Sequence, residues 1–347
     1  MRAYAPLLAL ALGAVACKPS EAPSPRTAAE PTPTSERAAA PEDPPAVKPA
    51  PMDWSTLSST SIRNPNDGSL VGGVPLPLEA PGLRFNPARD PASRFGTVEV
   101  IRALLDAAGR VDRELGGLPL TVNDLSLETG GPIPRHRSHQ SGRDVDTLFY
   151  QLGPDGQPIE SVGAFFDPEG RGVDFNDLST PDDDVALRLD VPRTWLFVRA
   201  LLENEHAEVQ NIYVAEHIRT LLLRHGRTTG TPPATLEKFE AVTCQPRYPH
   251  DDHFHIRFFC TAEDIREGCR DSQPIYPWQR VRLAEAGVKP RPLAPKRPAA
   301  EAKIVTHEEA REEAREAAGA LDPEVERWLD LRQKWVKKPH PGRTYCK

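Results

Sequence analysis

Excess charge of either sign is missing from this chain. Its 43 lysines and arginines stand against 50 aspartates and glutamates, a net charge of −7 over 347 residues. Nothing in that balance forms the basic footprint that draws nucleic acid, so a nucleic-acid partner is not expected. Cysteine is scarce, with five in all, and no CxxC pair is present, which excludes a zinc ribbon and a thioredoxin-type redox site. Apolar runs are short. The longest, Leu7 to Gly13, cannot span a bilayer as a folded helix. Two hydrolase signatures are missing as well. No serine begins an S-x-x-K motif and there is no G-x-S-x-G elbow, so neither of these acyl-serine sites is present. His307-Glu308 opens like the HExxH zinc motif, but Arg311 occupies the position of the second histidine. A hydrophobic share of 38% is low for a compact protein and fits one folded core between poorly ordered flanks.

What is present starts with 38 prolines, about twice the usual share and concentrated towards the two ends. Residues 1–17 read as an export signal: Met1-Arg2, the apolar run, then Ala14-Val15-Ala16 directly before Cys17. This resembles a bacterial lipoprotein signal, in which Cys17 becomes the lipidated N-terminus. Lys18 after it, by likeness to enteric lipoproteins, implies a periplasmic protein anchored to the outer membrane, with the lipid as its only membrane contact. Residues 18–52 are rich in proline, alanine and glutamate without apolar periodicity. They read as a disordered tether with a reach of roughly 30–35 Å as a flexible coil.

The folded part is expected over 53–275. Turn signals crowd Trp54 to Pro81, a loop-rich start with short strands. Val98, Ile101, Leu104, Leu105, Ala108, Val111 and Leu115 keep a helical period, with Thr97 as N-cap and Gly116-Gly117 as the stop. Leu118 to Leu127 and Asp144 to Tyr150 read as strands, and 151–192 as a long acidic surface excursion. Asp182-Asp183-Asp184 within it lacks EF-hand spacing and reads as a solvated loop. Helices are expected over 192–202, 217–223 and 234–242, and strands over Val209 to Val214 and His253 to Cys260. His206, His217 and His225 stand alone on these elements, as surface or core histidines. The extension 276–347 is expected to be partly helical, with a charged helix over His307 to Lys337 docking Trp328 and Trp335 on the core. The whole is α+β: a central, mostly antiparallel sheet flanked by helices.

With Cys17 set aside, Cys244, Cys260, Cys269 and Cys346 remain. An even number in an exported chain implies two disulfides with three possible connectivities. Pairing Cys260 with Cys269 would pin the end of the last strand and leave Cys244 with Cys346.

Five of the ten histidines fall in two short windows. One is Arg135 to Asp146, with His136, His139, Asp144 and Asp146. The other is His250-Asp251-Asp252-His253-Phe254-His255. Imidazole and carboxylate at this density point to a metal, and the ligand types suit one zinc ion per chain. On strands, residues two apart share a face. His253 and His255 therefore point one way, as do Asp144 and Asp146, and two facing strands could bring His255 to Asp146. Three protein ligands would leave a fourth position for water, the catalytic arrangement of zinc. Spacing alone leaves open which acid and which histidines bind.

The pattern His136-x-x-His139-Gln140-x-Gly142-x-Asp144-Val145-Asp146 resembles the signature of the penicillin-insensitive murein endopeptidases, of the D-Ala-D-Ala carboxypeptidase and Hedgehog-like group. The spacing of His250, His253 and His255 is similar to the family's later triplet. The start Ser61-Ile62-Arg63-Asn64-Pro65-Asn66-Asp67-Gly68 is also similar, although Arg63 replaces a usual glycine. The resemblance spans roughly residues 55 to 275. It implies that His139, Asp146 and His255 bind zinc, with His253 working beside the metal. His136 and His250 line the site or add a ligand, and Asp144 orients a ligand histidine from behind. The implied activity is cleavage of peptide cross-links between D-alanine and meso-diaminopimelate in peptidoglycan. A carboxypeptidase trimming stem peptides, or a murein-binding lipoprotein with a vestigial site, are the alternatives.

Overall fold

The computed structural model describes residues 52–134, 136–174, 179–246, 250–294, 312, 315, 316, 319–321, 323–336 and 346. The export signal with Cys17, the tether up to residue 51, Arg135, the His307–Arg311 segment and the side chain of Trp335 lie outside them. No helix among the described residues is long and apolar enough to cross a membrane.

The architecture is α+β. Its central sheet has seven strands, numbered in chain order: β1 (Glu79–Ala80), β2 (Leu83–Phe85), β3 (Leu120–Val122), β4 (Asp144–Leu148), β5 (Val209–Tyr213), β6 (Thr243–Cys244) and β7 (His253–Phe258). Their spatial order is β6-β5-β7-β4-β3-β2-β1. Only β5 with β6 and β2 with β3 run parallel; the other neighbours are antiparallel. β4 and β7 sit in the middle of the sheet, and their sequences alternate because one face meets the core and the other forms the site. Val145, Phe254, Ile256 and Phe258 are buried in the core.

Helix α1 (Val98–Leu115) and helix α2 (Val191–Leu202) contribute to this core through Val100, Ile101, Leu104, Val111, Trp195, Phe197 and Val198. Thr97 occupies the N-cap of α1 without a side-chain cap bond, and Gly116 ends the helix at φ 62, a conformation that costs glycine little. Helices α3 (Glu216–Thr228), α4 (Pro233–Val242), α5 (Ala262–Arg266), α6 (Pro277–Glu285) and α7 (Pro323–Val336) complete the set among the described residues. Pro277 in the first turn of α6 and Pro233 in that of α4 sit where a missing N–H costs nothing.

Two stretches differ from the sequence reading. The strand expected over Leu118 to Leu127 is only Leu120–Val122. Beyond it the chain leaves the sheet, and the backbone of Asn123 and Asp124 instead bonds to both sides of Asp146. The excursion over 151–192 is a folded layer. Pro158–Ile159, Gln151–Leu152, Val185–Leu189 and Arg171–Asp174 make a four-stranded sheet in that spatial order, and Ala164, Phe166, Leu187 and Leu189 are buried. Charge and glycine masked those few apolar anchors. The 3-10 turn Pro181–Asp183 does remain a surface feature with no buried residue.

Cys260 is bonded to Cys269 and Cys244 to Cys346. The first bridge closes the segment after β7 that holds α5, and the second ties Cys346 to β6. Val325, Trp328 and Leu329 of α7 are buried, so the docking expected of Trp328 is observed.

Candidate metal centre

Register decides which side chains meet. In the β7–β4 ladder His255 lies opposite Asp146 and Arg257 opposite Asp144, and on the other side Tyr213 faces His255. Because alternate residues share a face, Asp144, Asp146, His253, His255 and Arg257 crowd one side of the two strands. Val145 and Ile256 turn to the core.

The third wall is the loop between β3 and β4. It is fixed by Gln140 N–H donating to the Pro65 carbonyl at 3.0 Å and Thr97 N–H to that of Gly142 at 3.0 Å. Gly142 has φ 72, and a Cβ there would stand 2.8 Å from a Leu70 methyl carbon. Only glycine suits that position. Arg143, fully buried, clamps the base of the loop. Its guanidinium donates to Ser61 Oγ, the Phe258 and Arg270 carbonyls and Asp271. His139 is held at φ 67, a left-handed conformation uncommon for a histidine and typical of functional positions.

This frame brings three donor atoms together. His139 Nε2 lies 3.3 Å from Asp146 Oδ2, His255 Nδ1 lies 2.9 Å from Asp146 Oδ1, and the two nitrogens are 3.2 Å apart. The outer ring nitrogens settle the tautomers. His139 Nδ1 is 2.7 Å from the Leu125 carbonyl, which can only accept, so Nδ1 carries the hydrogen. His255 Nε2 is 3.2 Å from Asp144 Oδ2, a carboxylate that Arg257 also grips through two bonds of 2.8 and 2.7 Å. Both inner nitrogens of the neutral rings therefore present lone pairs towards each other and towards the Asp146 carboxylate. Asp146 Oδ1 has no hydrogen-bond partner among the described residues. Converging lone pairs repel unless a cation sits among them, and ligand bonds of 2.0–2.2 Å place tetrahedral neighbours about 3.3 Å apart. The donor set fits a metal cation.

The remaining residues line this triangle. His136, His139 and Asp146 each offer an atom within 4.8 Å of one another. His136 Nδ1 is 3.6 Å from Asp146 Oδ2, and its Nε2 is 3.1 Å from Asp124 Oδ2. His253 Nε2 stands 3.9 Å from Asp146 Oδ1, further than the inner three, and its Nδ1 bonds Asp252 at 2.8 Å. His250, at φ 52, packs its ring 4.7 Å from that of His253 and 5.9 Å from that of His255. All seven residues singled out from the two windows thus share one site. His217 does not: it is buried elsewhere, against the Phe166 carbonyl. His206 pairs with Asp106.

Electrostatics follow from burial and pairing. Burial alone would raise Asp144, but Arg257 beside it holds its carboxyl well below the usual carboxylate range. Burial pulls the imidazolium of His253 down, and the charge and hydrogen bond of Asp252 more than reverse this, lifting it to about 9. Asp252 itself lies at about 2, where burial is outweighed by His253 and then by Arg332. Asp124, Asp252 and Arg257 carry no role in the sequence reading. Asp252 stood inside a quoted window, and Arg257 continues the alternation of His253 and His255; Asp124 left no signal.

Residues 61–281 match the family model described as penicillin-insensitive murein endopeptidase. The chain is similar to proteins of that name from three bacteria. That of Klebsiella pneumoniae is 27% identical over 221 residues, 63% of this chain and 73% of the relative. That of Haemophilus influenzae is 26% identical, covering 65% and 75%. That of an Escherichia coli strain is 26% identical over 227 residues, covering 63% and 72%.

Proposed function

Since this chain belongs to the penicillin-insensitive murein endopeptidase family, we propose that it is a zinc peptidase of the cell envelope that hydrolyses peptide cross-links in peptidoglycan, of the D-alanyl–meso-diaminopimelate type. The observation that carries the reading is the triangle of His139 Nε2, Asp146 and His255 Nδ1, with every ring hydrogen turned outward. These three would hold the zinc, which when bound supplies a Lewis acid that lowers the pKa of water towards neutrality.

The chain's own residues supply the rest. Asp144 orients His255 from behind and is itself fixed by Arg257, so the ligand nitrogen cannot rotate away. His253 presents Nε2 to the same side of the site, backed by Asp252 through Nδ1. From there it holds the attacking water or donates a hydrogen bond to the tetrahedral oxyanion, and it carries a proton towards the departing amine. Water adds to the carbonyl carbon, the C–N bond breaks, and a carboxylate and an amine leave. His136 and His250 shape the rim. An export signal with Cys17 lipidated would place the domain against murein in the periplasm.

The test is incubation of zinc-loaded protein with cross-linked muropeptide dimers. Monomers are the expected product; loss of terminal alanine alone would make it a carboxypeptidase, and no product a binding protein. Chelation should abolish activity and a β-lactam should not. His139→Ala and Asp146→Ala should lose zinc and activity together. His253→Ala should keep zinc and lose about 10²–10⁴-fold in kcat; full activity would remove His253 from its role.

A further inference from the structure

Asp251 has no task in this scheme, yet its side chain is fully buried. Arg332 from α7 meets it with a two-pronged contact, Nε to Oδ2 at 2.8 Å and Nη2 to Oδ1 at 2.7 Å. The guanidinium also lies over the ring of Phe165, 4.0 Å from its centroid, and keeps only 13% exposure. From the other side, Phe166 N–H donates to the Asp251 carbonyl at 3.0 Å. Paired bonds of this kind fix direction as well as distance, which a lysine cannot do. The residue before Asp251 is His250 at φ 52, so the segment is held in a conformation that its surroundings must enforce. The residue after it is Asp252, which grips His253 Nδ1 at 2.8 Å. Helix α7 begins at Pro323, beyond residue 281 where the family match ends. The clamp is therefore supplied by a part of this chain that the family does not define.

We propose that Arg332 is a positioning residue for peptide hydrolysis: by gripping Asp251 it fixes the Asp251–Asp252 segment, and through Asp252 the direction in which His253 Nε2 points. The inference rests on the role given to His253 above. A helix-docking contact would need no placement next to Asp252, because Val325, Trp328 and Leu329 already bury the apolar face of α7.

Full-length, zinc-loaded Arg332→Ala, Arg332→Lys and the double variant Asp251→Asn/Arg332→Ala, each compared with the unsubstituted chain, test it. Arg332→Ala should lower kcat about tenfold through misplacement, with KM within about twofold and zinc content unchanged. Arg332→Lys, which keeps the charge and loses the fork, should fall between, and the double variant should be no slower than Arg332→Ala. Backbone amides of residues 250–253 should exchange hydrogen faster in both single variants. A contact that only docks the helix would lower Tm and leave kcat and that exchange alone. Unchanged kcat in folded Arg332→Ala, or in Arg332→Lys where the alanine variant does not fold, overturns the proposal. So does unchanged exchange at 250–253, which needs no activity. An unsubstituted chain that binds zinc and cuts no dimer defeats the proposed function instead, and leaves the exchange result to judge Arg332.

Discussion

At the scale of single residues, the site is governed by what stands behind the histidines. His255 is aimed by Asp144, and Asp144 is kept ionised by Arg257, so its removal should act on metal affinity before chemistry. Asp144→Asn is expected to weaken zinc binding by about 10–100-fold, measured by competition with a chromophoric chelator. A second residue tests backbone strain. Arg63 sits at φ 63 in the strand Thr60–Asn64. Left-handed backbone disfavours any side chain by about 1–2 kcal/mol. Its ion pair with Asp67 is exposed at both ends and offsets little of this. Arg63→Gly should therefore stabilise the fold by about 0.5–1 kcal/mol after the entropy of glycine is subtracted, seen as a higher Tm with unchanged kcat.

At the scale of elements, α1 carries a partly buried acid that works against the fold. Burial first, then the charge of Asp264 on α5, push Glu99 up from 4.5 to about 7, and one of its oxygens has no hydrogen-bond partner among the described residues. The folded chain then binds this proton more tightly than the unfolded one. Stability from this group is full below pH 4.5, falls as the pH rises towards 7, and is absent above it. Glu99→Gln should accordingly stabilise the protein by about 1–3 kcal/mol at pH 8 and by much less at pH 5. Thermal melts of both proteins at the two pH values decide this; an equal gain at both would show that Glu99 is already ionised in the fold. The same helix is legible in the sequence because its apolar period, Thr97 and Gly116-Gly117 are local signals. The shortness of β3 is not, because backbone bonds from residues 123 and 124 to Asp146 take over where the sheet would have continued.

At the scale of the whole molecule, the C-terminal extension is held to the peptidase by three different means: an apolar helix face, the Arg332–Asp251 pair and the Cys244–Cys346 bridge. That bridge spans 102 residues, and closing a loop of such size removes much of the entropy of the unfolded chain. Cys346→Ser is expected to cost about 2–4 kcal/mol and to expose α7 to limited proteolysis ahead of the central sheet. Protease resistance of α7 equal to that of the unsubstituted chain would mean that the apolar face and Arg332 hold it unaided.

The sequence by itself determined the two windows dense in imidazole and carboxylate, the shared faces of Asp144 with Asp146 and of His253 with His255, and the α+β class. Each of these follows from side-chain chemistry or from a local period, which neighbouring residues carry. Only the tertiary structure decided which nitrogen of each histidine faces inward. The Leu125 carbonyl and Asp144 that fix the tautomers lie 14 and 111 residues away in the chain, and no local pattern encodes such partners. It also brought Arg332 to Asp251, 81 residues apart, because a helix packs where its buried face fits. The stretch from His136 to Asp146 carries one half of the candidate metal centre, and the β7–β4 register brings His255 to it.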